Sequence, residues 1–201
     1  MRKFKVFIDI DEEEKFLREM AEKGYIFKKY SYFGFYHFEP AKPQTLNYRV
    51  DYRMFGIGGN PEFLNYVAMF EDAGWKHVYG TKISGSQYFL PQHDEEVNDI
   101  FSDSESKRQR YIRLYQQCIV SLACAIIYFI AVLAINNFNL SSYLFQTPGL
   151  WEMGGTKFWR AFWFEFPFML LRLIPILIFT TGGLCYAIWA IKAKKLFENK
   201  Y

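Results

Sequence analysis

Asp9, Asp11 and Glu13 alternate in the way that ligands of a calcium-binding loop alternate. Such a loop needs glycine at its sixth position and an acidic residue at its twelfth; this chain has Glu14 and Met20 there. Helix capping is the better account, with Asp11 as N-cap and Glu12, Glu13 and Glu14 set against the positive end of the helix dipole. The run Phe55-Gly56-Ile57-Gly58-Gly59-Asn60-Pro61-Glu62 lies where a phosphate cradle could sit between strand and helix. It lacks the Gly-Lys-Ser/Thr ending, and Glu62 would repel phosphate from the first helical turn, so it reads as a loop. His37, His77 and His93 have no second His or Cys at metal spacing, and His93-Asp94-Glu95-Glu96 reads as a solvated linker. The chain contains no G-x-S-x-G and no serine in a triad-like setting. The expectation is a chain without cofactor, metal or catalytic activity.

The elements around these residues repeat. Phe16-Leu17…Met20-Ala21-Glu22-Lys23-Gly24-Tyr25 followed by Gly34-Phe35-Tyr36-His37-Phe38 is matched by Tyr66-Val67…Phe70-Glu71-Asp72-Ala73-Gly74-Trp75 followed by Gly85-Ser86-Gln87-Tyr88-Phe89. Each copy reads as an amphipathic helix that stops at a glycine and leads into aromatic strands. Asn60 is the expected N-cap of the second helix and Pro61 its first residue. Strands are predicted at residues 4–8, 25–30, 34–39, 46–52, 75–79 and 86–90. The fold class is α+β: a duplicated βαββ unit with two helices on one face of an antiparallel sheet, followed by a two-helix transmembrane hairpin.

The aromatic strand residues outnumber what one face of a small sheet can bury. Tyr32, Phe35, Tyr48 and Tyr52 are therefore candidate residues of a docking face for a peptide, lipid or protein partner. The helix–Gly–aromatic pairs, the strand Tyr48-Arg49-Val50-Asp51-Tyr52, and the runs Phe70-Glu71-Asp72-Ala73-Gly74-Trp75 and Ser102-Asp103-Ser104-Glu105-Ser106-Lys107 resemble the domain of unknown function (DUF) 2812 family of Gram-positive bacterial membrane proteins. The resemblance covers roughly residues 1–113. It implies membrane anchoring and, because members are often encoded beside transcriptional regulators, a part in regulated envelope responses. It implies no catalytic residues.

No charged residue lies between Arg113 and Glu152, or between Arg172 and Lys192. A bilayer core about 30 Å thick needs about 20 apolar residues in a helix, and Ile119–Ile135 and Leu173–Ile191 are close to that length. Residues 1–110 hold 16 of the 24 Lys and Arg and 18 of the 21 Asp and Glu, so the net positive charge belongs to the membrane flanks. Nucleic acid is not expected as a partner, since the soluble part has no basic excess. Cys118, Cys124 and Cys185 all lie in or beside the apolar runs, and the soluble half has none, which suits a reducing compartment. Basic residues at 107–113 and 192–200 predict a cell-membrane protein with both termini cytoplasmic.

The expected organisation is a cytoplasmic domain at 1–95 that folds alone, a charged connector at 96–113, a first span at 114–135, an extracytoplasmic loop at 136–165, a second span at 166–191 and a basic tail at 192–201. A capping box of Ser102 and Glu105 would start one long helix running into the first span. Lys157–Phe168 is aromatic enough to lie in the headgroup region, with Trp159, Arg160, Trp163 and Arg172 as interface anchors, Arg172 snorkelling outward. The small residues Thr180, Thr181, Gly182, Gly183 and Ala187 suit close helix contact, within the hairpin or in a homodimer through the second span. The expected partners are the bilayer and a membrane or cytoplasmic protein. The function read from this is recruitment or sensing by a membrane-anchored regulatory module; the alternative is an accessory subunit of a transporter or envelope-stress complex, working through its spans.

Overall fold

A computed structural model describes residues 1–31, 34–92, 100–101, 104–135 and 137–200. The chain forms two compact units, one made of residues 1–115 together with 191–201 and the other of residues 116–190. The first unit therefore reaches past residue 95 and includes the tail.

The first unit is α+β and its two halves repeat one another. Strand β1 (Arg2–Phe4), helix α1 (Ile10–Glu22), β2 (Tyr25–Ser31) and β3 (Phe35–Pro40) make one βαββ unit. Strand β4 (Arg49–Tyr52), helix α2 (Asn60–Asp72), β5 (Trp75–Tyr79) and β6 (Ser86–Pro91) make the next. Each copy builds its own antiparallel three-stranded sheet, in the order β1-β3-β2 and β4-β6-β5, so the six strands form two sheets where one was expected. Strand β1 is shorter and earlier than the predicted 4–8, because its antiparallel partner β3 begins only at Phe35, opposite Phe4. Phe7, read as part of that strand, packs its ring on Phe16 and Tyr36. Strand β4 begins at Arg49, where pairing with Phe89 starts, three residues after the expected Leu46.

Each helix covers the corresponding face of its own sheet. Phe16 of α1 packs edge-on against Tyr36 and Phe38 of β3, and Phe70 of α2 lies 4.7 Å from Phe89 of β6. The opposite faces differ in fate. In the second sheet the far face carries Tyr88, fully buried, with its ring 4.6 Å from Phe27 of the first copy. In the first sheet the corresponding face carries Phe35, which stays 40% exposed.

Asp9, two residues before the expected Asp11, caps α1: it has extended backbone and its Oδ1 accepts from the Asp11 N–H at 3.0 Å. Helix α2 starts at Asn60 behind Gly59, with no side-chain cap, and Pro61 is its second residue. Gly24 and Gly74 end the two helices with φ of +82° and +84°. A β-branched residue is strained in that left-handed region, so Gly→Val at either site should cost about 1 kcal/mol or more. The Gly24 variant should cost more, because an added Cβ would sit 2.8 Å from the Ala41 carbonyl while Gly74 faces open space. Thermal unfolding of both variants checks the size and the order.

The remaining elements are α3 (Ser104–Ile135), the short α4 (Leu140–Leu144), a 3-10 turn at Leu150–Glu152, and α5 (Gly155–Asn199). Helices α3 and α5, at 32 and 45 residues, are long and apolar enough to cross a membrane. The capping box at Ser102 falls outside the described residues. Helix α5 runs unbroken through Pro167 and Pro175, so Lys157–Phe168 is continuous with the apolar run that follows it. Each proline forfeits one backbone hydrogen bond, a small loss against the rest of so long a ladder. At about 1.5 Å per residue α5 is about 68 Å long, more than twice a bilayer core, which leaves several turns beyond the apolar stretch. Within the second unit, Tyr128 of α3 stacks on Phe179 of α5 at 4.1 Å, and Gly183 is buried where a Cβ would lie 3.2 Å from that of Ala125. The small-residue strip is thus used at Gly183 to bring the two helices together, while Thr180 and Thr181 are exposed.

Candidate functional site

The first turn of α1 is the most connected place in the first unit. Helical spacing sets Glu13 on the same face as Phe16, Leu17 and Met20, so its carboxylate is carried into the core, where it is 6% exposed. Its Oε1 accepts from the Tyr36 and Tyr88 hydroxyls, each at 2.6 Å, and so joins one tyrosine from each sheet. Burial raises the Glu13 carboxyl above its ordinary pKa, against the two hydroxyls that favour its charge. The same burial, with Glu13 beside it, pushes Tyr36 and Tyr88 well up. Tyr30, its ring tilted against Tyr36 at 4.7 Å, rises to about 12 for the same two reasons.

Glu14 and Asp11 face the base of α3. Arg110, 3% exposed, donates to Glu14 at 3.1 Å, to Asp11 at 2.5 Å and to the Val50 carbonyl at 3.0 Å. Glu14 also accepts from the Val50 N–H and pairs with Arg49. One turn on, Arg113 pairs with Asp51 at 2.6 Å, and Tyr66 of α2 donates to the other oxygen of that buried carboxylate. Asp9 accepts from the Tyr111 hydroxyl at 2.7 Å, and Lys200 of the tail bridges Asp9 and Asp11. Burial works against the charge of Asp9, but Tyr111 and Lys200 prevail and hold its carboxyl below the usual range. The tail also packs Phe197 against Tyr115 and sets it beneath the Arg108 guanidinium.

Chemically this is a closed network of carboxylates, guanidiniums and hydroxyls. It fastens both sheets, the base of α3 and the tail to the first turn of α1, while Tyr66 of α2 reaches α3 through Asp51 and Arg113. Asp9, Asp11 and Glu13, which spacing alone made calcium-like, are consumed by an N–H, cations and tyrosine hydroxyls.

Of the four docking-face residues three are described, and those three do not share one surface. Tyr48 is 1% exposed, its hydroxyl 3.3 Å from the Phe27 N–H, so it belongs to the core and not to a surface. The register explains this: Val50 pairs with Tyr88, and Tyr48 points the same way into the space shared with Phe27. Tyr52 is half-buried against Gly85, Phe35 is exposed, and Tyr32 lies outside the described residues. His37 hydrogen-bonds Ser31 and His77 hydrogen-bonds Gln87; His93 lies outside the described residues.

In the second unit Trp159 and Trp163 are 56% and 61% exposed and Arg160 is exposed. Arg172 is half-buried and its guanidinium is engaged. It pairs with Glu165 at 2.5 Å and donates to the Leu144 carbonyl at 2.8 Å, while Glu165 accepts from Thr147 at 2.6 Å and from the Gln146 N–H. A carboxylate two turns back on the same helix offers this arginine a partner, and the pair staples the α4 loop to α5. That loop borders an open cavity of about 560 Å³ between Asn139 and Glu152.

Sequence reasoning missed Arg110, Arg113 and Lys200 as partners of the acidic turn. Two signals were available: Glu13 shares the apolar face of α1, and Asp51 sits inside an otherwise aromatic and β-branched strand. Each is an acid that burial obliges to find a partner. No curated protein and no solved structure matches the chain. The family model described as "Protein of unknown function (DUF2812)" matches residues 9–123, from the Asp9 cap through the arginines of α3 and over more than half of the chain, and the chain belongs to that family.

Proposed function

We propose that this is a non-catalytic, membrane-anchored module whose α+β domain faces the cytoplasm and recruits a protein partner or senses a ligand or membrane state. The observation that carries the reading is the ion-paired clamp of Arg110 and Arg113 on Glu14, Asp11 and Asp51. It fixes the first turns of a membrane-length helix inside the domain, so that a change in one is felt by the other. The tail supports a hairpin topology: Leu196, Phe197 and Lys200 belong to the same compact unit as residues 1–115, and a chain that leaves and returns to one compartment crosses an even number of times. The basic flanks at 107–113 and 192–200 favour the cytoplasm for that side.

A second reading makes the chain an accessory subunit of a transporter or envelope-stress complex, dimeric through α5. The observation in its favour is the loop stapled by Glu165 and Arg172 beside the Asn139–Glu152 cavity. Deleting residues 1–115 should abolish the first function, and exchanging both long helices for an unrelated hairpin should abolish the second.

Cysteine labelling in intact cells tests the topology. In a variant lacking the three native cysteines, Ser142→Cys should react with a membrane-impermeant thiol reagent, and Ser84→Cys and Asn199→Cys only after permeabilisation. Reaction of Ser84→Cys in intact cells would move the domain outside and end the cytoplasmic proposal.

A further inference from the structure

The duplication leaves one face without its counterpart. In the second sheet the face turned away from α2 is buried against the first copy through Tyr88. In the first sheet the corresponding face, turned away from α1, has nothing packed on it among the described residues. Strand register sets its composition: Arg2 lies opposite His37, Phe4 opposite Phe35, and Lys29 opposite His37 from the other side. Phe4 and Phe35 form a cross-strand ring pair at 5.3 Å, and Phe4 is 64% exposed. Arg2 and Lys29 are exposed and have no acidic partner among the described residues, as does Lys3 at the strand edge. Glu39 is engaged by Lys28 at 2.9 Å. Desolvation, then the charges of Arg2 and Lys29, hold His37 below its usual pKa, so it adds no charge to the face near neutral pH.

We infer that this face, Arg2 and Lys29 around the Phe4–Phe35 pair, docks on anionic lipid headgroups. The inference rests on the proposed membrane anchoring. Unpaired cations around exposed aromatic rings fit an interface that is anionic outside and apolar a few ångströms in. A second copy of the chain fits poorly, since it would present the same cations. A chain fixed in the bilayer by α3 and α5 also meets headgroups at high effective concentration, which favours lipid over a diffusing polyanion such as nucleic acid.

The test uses the full chain, free of native cysteines and carrying an environment-sensitive fluorophore on Phe4→Cys, in nanodiscs of phosphatidylcholine with or without phosphatidylglycerol. The probe should shift to the blue in the anionic discs and lose the shift in pure phosphatidylcholine or at high salt. The same probe on Ile57→Cys, an exposed loop site in the second copy, should not shift. Each cation at an anionic surface is worth about fivefold, so Arg2→Gln with Lys29→Gln should lower the docked-to-free ratio about thirtyfold. Circular dichroism of each labelled chain establishes that the fold is kept. Insertion into discs without a blue shift overturns this inference and leaves the anchoring reading intact. Failure to insert overturns both. A shift driven by single-stranded DNA in discs of pure phosphatidylcholine would assign the face to nucleic acid and overturn the lipid assignment.

Discussion

Arg110→Met is expected to destabilise the α+β unit by about 3–5 kcal/mol, the usual cost of removing one partner from a buried ion pair. The guanidinium is almost fully enclosed and serves Glu14, Asp11 and the Val50 carbonyl together. Methionine fills much of the volume but returns none of the charge. Glu14 would keep only Arg49 and the Val50 N–H inside a low-dielectric site. Arg108→Met is the control: Arg108 pairs with Glu105 on the exposed side of the same turn, where an ion pair contributes about 0–1 kcal/mol. Native-state hydrogen exchange of the α1 and β4 amides in detergent micelles reads both variants. Equal protection in the two would remove Arg110 from its central place.

Glu13 carries the second large effect. Glu13→Ala strips the acceptor from two buried tyrosine hydroxyls, each costing about 1–3 kcal/mol when left unpaired, so about 2–6 kcal/mol should be lost. Glu13→Gln keeps an acceptor at the same place and should lose less. The pH dependence is the sharper readout. A carboxyl whose folded pKa is raised binds a proton that the unfolded chain has already released. Its contribution is therefore fully present below the ordinary value of 4.5 and is lost as pH rises through the raised one. Urea denaturation from about pH 4 to about pH 8 should show this decline in the parent chain and a flatter profile in Glu13→Gln. Identical slopes in the two would mean that Glu13 is not the group that titrates.

The repeated helix–glycine–aromatic pattern was enough to read the βαββ duplication, because glycine at a helix end and an apolar stripe are local requirements. Gly24 and Gly74 stand where those requirements put them. The two charge-free runs were equally legible, since length and composition alone define a membrane-length helix. The split into two sheets was not, because strand pairing across copies depends on packing between Phe27 and Tyr88, 61 residues apart. Nor was the clamp. The basic residues at 107–113 satisfied the charge rule for a membrane flank, and nothing local distinguishes Arg108, which is half-buried, from Arg110, which is buried and lies 96 residues from its partner Glu14. The partner of Arg172 was equally hidden: its place at the edge of an apolar run does not point to Glu165, seven residues earlier, with which it pairs.

The acidic turn of α1 also orders events during synthesis. Asp9, Asp11 and Glu14 leave the ribosome about a hundred residues before Arg110 and almost two hundred before Lys200. Domains fold as units once their parts have been made, at about 5–20 residues per second. This domain is short of its cations until α3 has begun and of its last one until α5 has been made. A nascent chain halted between the two halves could pack α1 on β3 but would hold Asp11 and Glu14 without their arginines. Completion of the α+β unit is thereby timed to synthesis of the two long helices, and a chain whose tail never reached Asp9 and Asp11 would be left with a loosened domain open to proteases.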